Sequence, residues 1–353
     1  MMGILRREYV IVGIVLVLAG LAVGTLIFSS PGSNKVLPSG GVRYQEIVGP
    51  SGFVNTDGIT IRELIGQKIV LVDFMTYSCI NCQRTFPYLN AWYGKYKDQG
   101  LEIIGIHTPE FAFEKDIDNV REAMKHFGIS YPVVLDNDYA TWNAYGNRYW
   151  PRKYLIDIQG NVVYDHIGEG DYEETEMKIR ELLEERAQVL GENISPQNGL
   201  AAAAIPGSRN AALSPETYFG SARNEHLRNG TPGRSGEARF ILPEKFDFNA
   251  LYLGGVWKMS PEYAESVADS SVVYRYSARE VYIVADADGP VEIEVLQDGV
   301  PVGTAAGEDV QGGVVTVQES RLYKLIRNAS GGEHVLELRV RGGKVRLYAF
   351  TFG

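Results

Sequence analysis

The sequence predicts an α/β domain followed by an all-β domain, preceded by one segment apolar enough to span a bilayer. Three observations carry this. Between residues 42 and 190, short apolar runs rich in β-branched residues alternate with amphipathic stretches of helical period, the pattern of a central sheet flanked by helices. From about residue 214 to 353 the period changes to two, with turn dipeptides between the runs and no convincing helix. Tyr9 to Phe28 is a run of twenty residues without a charge.

Length and charge bound the function. A chain of 353 residues has room for two domains, each with its own core. A hydrophobic share of 45% and a charged share of 22% are those of ordinary globular protein. The net charge of −10, with no Lys/Arg cluster, argues against a nucleic-acid partner. Two cysteines are too few to staple a secreted fold.

Taken in order, residues 1–30 read as a membrane anchor. Arg6 and Arg7 precede the apolar run and only Lys35 follows closely, so a single-pass topology in the cell membrane is expected, with a cytoplasmic N-terminus and both domains extracytoplasmic. A cleaved signal peptide, with Ala22-Val23-Gly24 as its small-residue site, is the alternative. Residues 31–41, rich in Ser, Gly and Pro, form a tether.

The α/β domain spans 42–190. Val42–Val48 and Gly52–Ile61 are expected as short strands, and Ile69–Phe74 as a buried one. A helix from Cys82 to Gln99 puts Phe86, Leu89, Tyr93 and Tyr96 on one face and closes at Gly100. Leu101–Ile106 is the next buried strand. Phe113–Phe127 is a helix with Val120, Met124 and Phe127 inward. Tyr131–Leu135 is strand-like and Tyr139–Tyr145 a short helix. Lys153–Ile158 and Asn161–Ile167 form a hairpin around Gly160. A long helix, Tyr172–Leu190, closes the domain with Ile179, Leu182, Leu183 and Leu190 inward.

Residues 191–213, with Asn, Ser, Pro, Gly and the run Ala201–Ala204, are a linker expected to be partly docked. Beyond it the sets Val281/Ile283/Ala285, Val291/Ile293/Val295 and Leu336/Leu338/Val340 alternate with more polar neighbours. Asp298-Gly299 and Gly342-Gly343 turn between them. Several short strands of this kind predict a β-sandwich over 214–353.

The chemistry centres on Cys79 and Cys82. The pair sits where a buried strand meets the first turn of a helix. There unpaired N–H groups and the helix dipole favour a thiolate. Cys79 is the expected attacking thiolate; Cys82, one turn in and less exposed, would resolve the mixed disulfide. Asp73 is a carboxylate inside a run of Ile, Val, Leu and Phe, where burial raises its affinity for a proton. That suits it to accept and return the proton of Cys82. A strand-end aspartate capping the next loop is the alternative.

Val72-Asp73-Phe74, then Cys79-Ile80-Asn81-Cys82, with Pro87 inside the helix, resembles the active-site segment of thioredoxins. The longer segments Tyr77–Thr85, Gly105–Phe111, Trp150–Asp157 and Tyr348–Gly353 resemble TlpA/ResA-type membrane-tethered thioredoxin-like proteins. Within these they are most similar to the extracytoplasmic C-terminal part of DipZ proteins. The resemblance covers roughly residues 42–353. It implies a thioredoxin-like redox domain and a jelly-roll, carbohydrate-binding-module-like domain. It also implies a thiol–disulfide oxidoreductase acting on protein thiols and disulfides, with no cofactor beyond a redox-active Cys79–Cys82 disulfide.

The resemblance further implies that Pro151 is a cis-proline facing the dithiol. Such a proline would expose the Trp150 backbone to a substrate segment and leave no room for a metal ligand. Tyr77, Ile80, Asn81 and Glu110 are the other expected substrate contacts, although a solvated loop acid is as good a reading of Glu110. DipZ proteins carry a multi-span domain that supplies electrons. One span here implies a separate membrane electron donor.

The five histidines are scattered without ligand spacing, so a zinc site is not expected. A thiol peroxidase is a rival reading, because Thr76 falls where peroxiredoxins carry a threonine, but Val72 stands in place of their proline. Tyr218, Tyr252, Trp257, Tyr263 and Tyr323 could stack on sugars of a glycan or cell-wall ligand, or could be core or a docking surface. A glycan-binding protein with an accessory redox domain is therefore the alternative from another class.

Overall fold

The computed structural model describes residues 35–36, 42–193, 199–205 and 214–353. The expected membrane anchor and most of the tether lie outside the described residues. Among the described residues no helix is long and apolar enough to cross a membrane.

The first domain contains β1 (Lys35–Val36), β2 (Gly52–Val54), α1 (Ile61–Leu64), β3 (Ile69–Met75), α2 (Ile80–Tyr96) and β4 (Leu101–His107). It continues with α3 (Ile117–His126), β5 (Val133–Leu135), α4 (Ala140–Ala144), β6 (Arg152–Ile156), β7 (Val162–Ile167) and α5 (Tyr172–Leu190). The strands form one mixed sheet in the order β1-β7-β6-β3-β4-β5-β2. β3 runs parallel to β4 and antiparallel to β6. Every residue of β3 and β4 is buried, which is why both read as continuous apolar runs. One face of the sheet packs Phe86, Leu89, Trp92, Val120, Met124, Ile179 and Leu183; the other packs Ile61, Trp142 and Tyr154.

Several boundaries differ from expectation, each for a local reason. Residues 42–48 make no strand beyond an isolated bridge at Arg43, because Glu46 turns its carboxylate onto the N–H groups of Ile61 (2.9 Å) and Arg62 (3.1 Å) and caps α1. The strand expected to reach Ile61 stops at Val54. Asn55, at φ 63°, then turns the chain and donates to the carbonyls of Ile129 and Tyr131. The helix expected over 113–127 is interrupted at Asp116, whose side chain accepts from Asp118 N and restarts the chain as α3. Tyr93 is only half-buried, and Leu190 is 40% exposed because the last turn of α5 outruns the core. Gly100, at φ 104°, closes the end of α2 beneath the Arg186 side chain. Part of the linker docks as expected: buried Glu176 accepts from Ala201 N, from Ala202 N (2.6 Å) and from Tyr96 Oη (2.6 Å).

The second domain is all β. Its strands are β8 (Thr217–Tyr218), β9 (Gly236–Phe240), β10 (Leu251–Met259), β11 (Ala264–Ser266), β12 (Ser270–Ala287) and β13 (Val291–Gln297). β14 (Val300–Pro301), β15 (Val310–Gln311), β16 (Val314–Val317), β17 (Arg321–Val340) and β18 (Val345–Phe352) complete it. All pair antiparallel. The pairings β12–β10–β11–β18–β12 close on themselves. The three predicted alternation sets all fall in one core cluster. Asp298 and Gly299, at φ 54° and 82°, make the expected hairpin turn. The strands are not uniformly short: β12 has 18 residues and β17 has 20, each carrying register shifts that let it bend from one set of partners to the next.

The aromatic residues that could be sugar platforms, core or a docking surface fall in the core and at the junction. Tyr252, Trp257 and Tyr323 are buried in the domain. Tyr218 donates to Glu110 (2.9 Å) and Tyr263 packs on Tyr348 (5.3 Å between ring centroids), so both belong to the junction with the first domain.

Candidate active site

Cys79 is the N-cap of α2, in extended backbone (φ −78°, ψ 120°), and is half-buried. The helix thus begins at Ile80, two residues earlier than the sequence suggested. This puts Cys79 at the mouth of the first turn, where the N–H groups of that turn have no intrahelical partner. Cys82, one turn along, is fully buried, and both thiols are free. Burial pushes the Cys82 thiol up, reinforced by its hydrogen bond with Cys79 and by the nearby Asp73. The accessible sulfur and the sheltered one are therefore distinct.

Asp73 lies beneath them at the centre of β3. It is fully buried and neither carboxylate oxygen has a hydrogen-bond partner among the described residues. Burial raises its pKa to about 7, opposed by the positive charge of Lys153. Lys153 is the register partner of Asp73 across the β3–β6 ladder, and its Nζ donates to Gly168 O at 3.4 Å. Its burial is complete and holds its own pKa down, against the fields of Asp73, Cys82 and Glu169.

The loop before Cys79 is fixed by a residue from another element. Glu114 is fully buried. Its Oε1 accepts from Thr76 Oγ1, Ser78 N (3.2 Å) and Ser78 Oγ (2.7 Å), and its Oε2 from Glu110 N (2.6 Å) and Phe111 N (3.0 Å). Burial raises its pKa while these hydrogen bonds oppose the rise. Thr76, the residue that would assist a peroxidatic thiolate, is thus engaged with Glu114. His107 stacks on Tyr77 (5.6 Å), and burial lowers it to about 3, so it stays neutral.

The Trp150-Pro151 peptide is cis. Trp150 is half-buried, packs at a tilt on Trp142 with ring centroids 4.3 Å apart and donates its Nε1–H to Thr108 O at 3.1 Å.

The remaining expected substrate contacts are mostly occupied by the second domain. Tyr77 is buried and donates its hydroxyl to Ser320 O at 3.1 Å. Ile80 is buried in a cluster with Phe111, Tyr282, Val284, Leu322 and Tyr348. Glu110 pairs with Arg223 at 2.8 Å. These three side chains hold the domains together; they are not free to meet a substrate. Asn81, the fourth, is half-exposed. Arg84, one turn into α2, adds ion pairs to Glu169 (3.2 Å) and Glu280 (3.3 Å) and donates to Tyr282 Oη at 3.1 Å.

Sequence reasoning missed Lys153, Glu114 and Arg84. Lys153 carries a signal of its own, a lysine opening an otherwise apolar strand beside a buried aspartate. Glu114 and Arg84 look like ordinary surface charges, because their partners are remote in sequence.

One half-exposed and one buried cysteine at a strand–helix junction, a buried Asp73 on the strand before them and a cis Trp150-Pro151 bond in the same domain belong to a thioredoxin-like fold of the thiol–disulfide oxidoreductase class. Comparison with known proteins agrees. Residues 54–183 match the Redoxin family, and residues 214–353 match the family described as thioredoxin like C-terminal domain. Protein DipZ of Mycobacterium tuberculosis is 38% identical over 312 residues, covering 87% of this chain and 42% of DipZ, so the chain spans less than half of that relative. Thiol-disulfide oxidoreductase ResA of Halalkalibacterium halodurans is 30% identical over 172 residues, 48% of this chain and 90% of ResA. Thiol-disulfide oxidoreductase YkuV of Bacillus subtilis is 29% identical over 140 residues, 40% of this chain and 93% of YkuV. The chain belongs to the thioredoxin-like family of thiol-disulfide oxidoreductases.

Proposed function

We propose that the chain is a membrane-anchored, extracytoplasmic enzyme that exchanges a Cys79–Cys82 disulfide with protein thiols. In the reducing direction the Cys79 thiolate attacks one sulfur of a substrate disulfide. That S–S bond breaks, a Cys79–substrate disulfide forms, and the departing sulfur leaves as thiolate and takes up a proton. Asp73 then accepts the proton of Cys82. The Cys82 thiolate attacks Cys79 Sγ, the second substrate sulfur leaves, and the chain ends oxidised with two electrons passed to the substrate. Oxidation of a substrate dithiol is the same sequence reversed.

The observation that carries this reading is the pairing of half-exposed Cys79 with buried Cys82, whose thiol feels the charge of Asp73, a buried carboxylate with no hydrogen-bond partner among the described residues. The dithiol itself is the redox group, and no other cofactor is invoked. Substrate approaches beside Asn81 and the Trp150-Pro151 backbone rather than across Tyr77, Ile80 and Glu110, which the second domain engages. The apolar run Tyr9–Phe28 supports anchoring, and the 38% identity to protein DipZ supports an extracytoplasmic site. The test is turnover of insulin disulfides against turnover of an alkyl hydroperoxide by the full chain. The reading expects the first and fails if only the peroxide is consumed.

A further inference from the structure

The second domain is docked onto the redox loop itself, and a single carboxylate joins the two. Glu114 divides its oxygens between two loops. Oε1 holds Thr76 and Ser78, the residues that lead into Cys79. Oε2 holds the backbone of Glu110 and Phe111. Those two residues are where the first domain grips the second: Glu110 pairs with Arg223 and accepts from Tyr218, while Phe111 packs on Tyr348 at 5.0 Å and lies beneath the Arg223 guanidinium. Ala112 N, next along, donates to Glu262 at 3.0 Å.

We propose that Glu114 is a positioning residue for the exchange reaction, and that through it the docking of the β-domain sets the reactivity of Cys79. All five partners of Glu114 are placed to donate, which fits an ionised carboxylate. Its negative charge sits one residue from Cys79 through Ser78 and is balanced by those donors. Loosening the Glu110–Phe111 loop strips two donors from Oε2 and leaves more of that charge to oppose a neighbouring thiolate. The other titratable groups around Glu114 are His107, which burial keeps neutral, Glu110, which is ion-paired to Arg223, and Tyr77 and Tyr139, whose hydroxyls burial keeps protonated. The inference rests on Cys79 being the attacking thiol, but it can be tested without turnover.

The measurement is the rate of iodoacetamide alkylation of Cys79 against pH, in the full chain carrying Cys82→Ser. Glu114→Gln is expected to move the midpoint of that profile down by about one pH unit, because a charge is lost beside the thiolate. Arg223→Ala, in the other domain, is expected to move it up by about half a unit, and to leave it unmoved in the Glu114→Gln background. Equal shifts from Arg223→Ala in both backgrounds would mean a direct field effect and overturn the proposal, as would no shift in either. Should Glu114→Gln fail to fold, Ser78→Ala takes its place in the cycle, with an attenuated Arg223→Ala shift expected and an unaltered one counting against the link. A parent chain that alkylates as expected but neither reduces a disulfide nor oxidises a dithiol would instead sink the proposed function.

Discussion

Asp73 on β3 and Lys153 on β6 face each other across an antiparallel ladder with both side chains fully buried, yet neither oxygen of Asp73 has a hydrogen-bond partner among the described residues. A buried pair held by charge without a direct hydrogen bond is costly to stability, and its proton can move.

Asp73→Asn tests the cost. A carboxyl whose pKa is raised by folding is penalised only when ionised. The penalty is absent below the unfolded value near 4, grows as pH rises towards about 7, and is complete above that. Asp73→Asn is expected to be more stable than the parent at pH 8 and equal to it near pH 4 in denaturant titrations. The same variant should slow resolution of the mixed disulfide about 100-fold. Stability that falls at pH 8 would contradict the assignment.

Lys153→Met removes the charge that holds Asp73 down. Asp73 should then stay protonated to higher pH, and the pH at which resolution reaches half its maximal rate should rise above that of the parent. Lys153→Arg keeps the charge and should restore the profile. Single-turnover rates between pH 5 and 9 read both.

Replacing the cysteines separates their roles. Cys79→Ser should abolish exchange, whereas Cys82→Ser should accumulate substrates disulfide-linked to Cys79, visible on non-reducing gels. Capture through Cys82 in the Cys79→Ser chain would reverse the assignment.

The dock can be weakened from the redox side. Phe111 is buried against Phe113 and Tyr348, and truncating a buried aromatic costs about 3–5 kcal/mol. Phe111→Ala should split a single calorimetric transition into two, one per domain. A single transition at lower temperature would place the loss within the first domain alone.

Much of this was legible in the residues themselves. β3, β4, the β6–β7 hairpin and α5 follow from period and punctuation, because each element's burial is expressed in its own sequence. Cys79, Cys82 and Asp73 were legible because reactive types sit in local contexts that explain them. The short strands around 42–61 misled because Glu46 and Asn55 spend their side chains on backbone groups far along the chain. Glu114, Arg84 and the dock were hidden for the same reason. Their partners lie tens to hundreds of residues away, and a glutamate or arginine looks alike whether it meets water or another domain.

The placement of Ile80 bears on how this enzyme could be re-engineered or could diverge. The two residues between the cysteines are the natural place to retune a dithiol's potential, since they line the first turn without taking part in exchange. Here Ile80 is packed among Tyr282, Val284, Leu322 and Tyr348 of the second domain. Swapping in the dipeptide of another oxidoreductase would therefore open a cavity or force a clash in the junction. Any variant selected for a new potential at this position should carry compensating changes on β12, β17 or β18, whereas Asn81 lies outside that junction cluster.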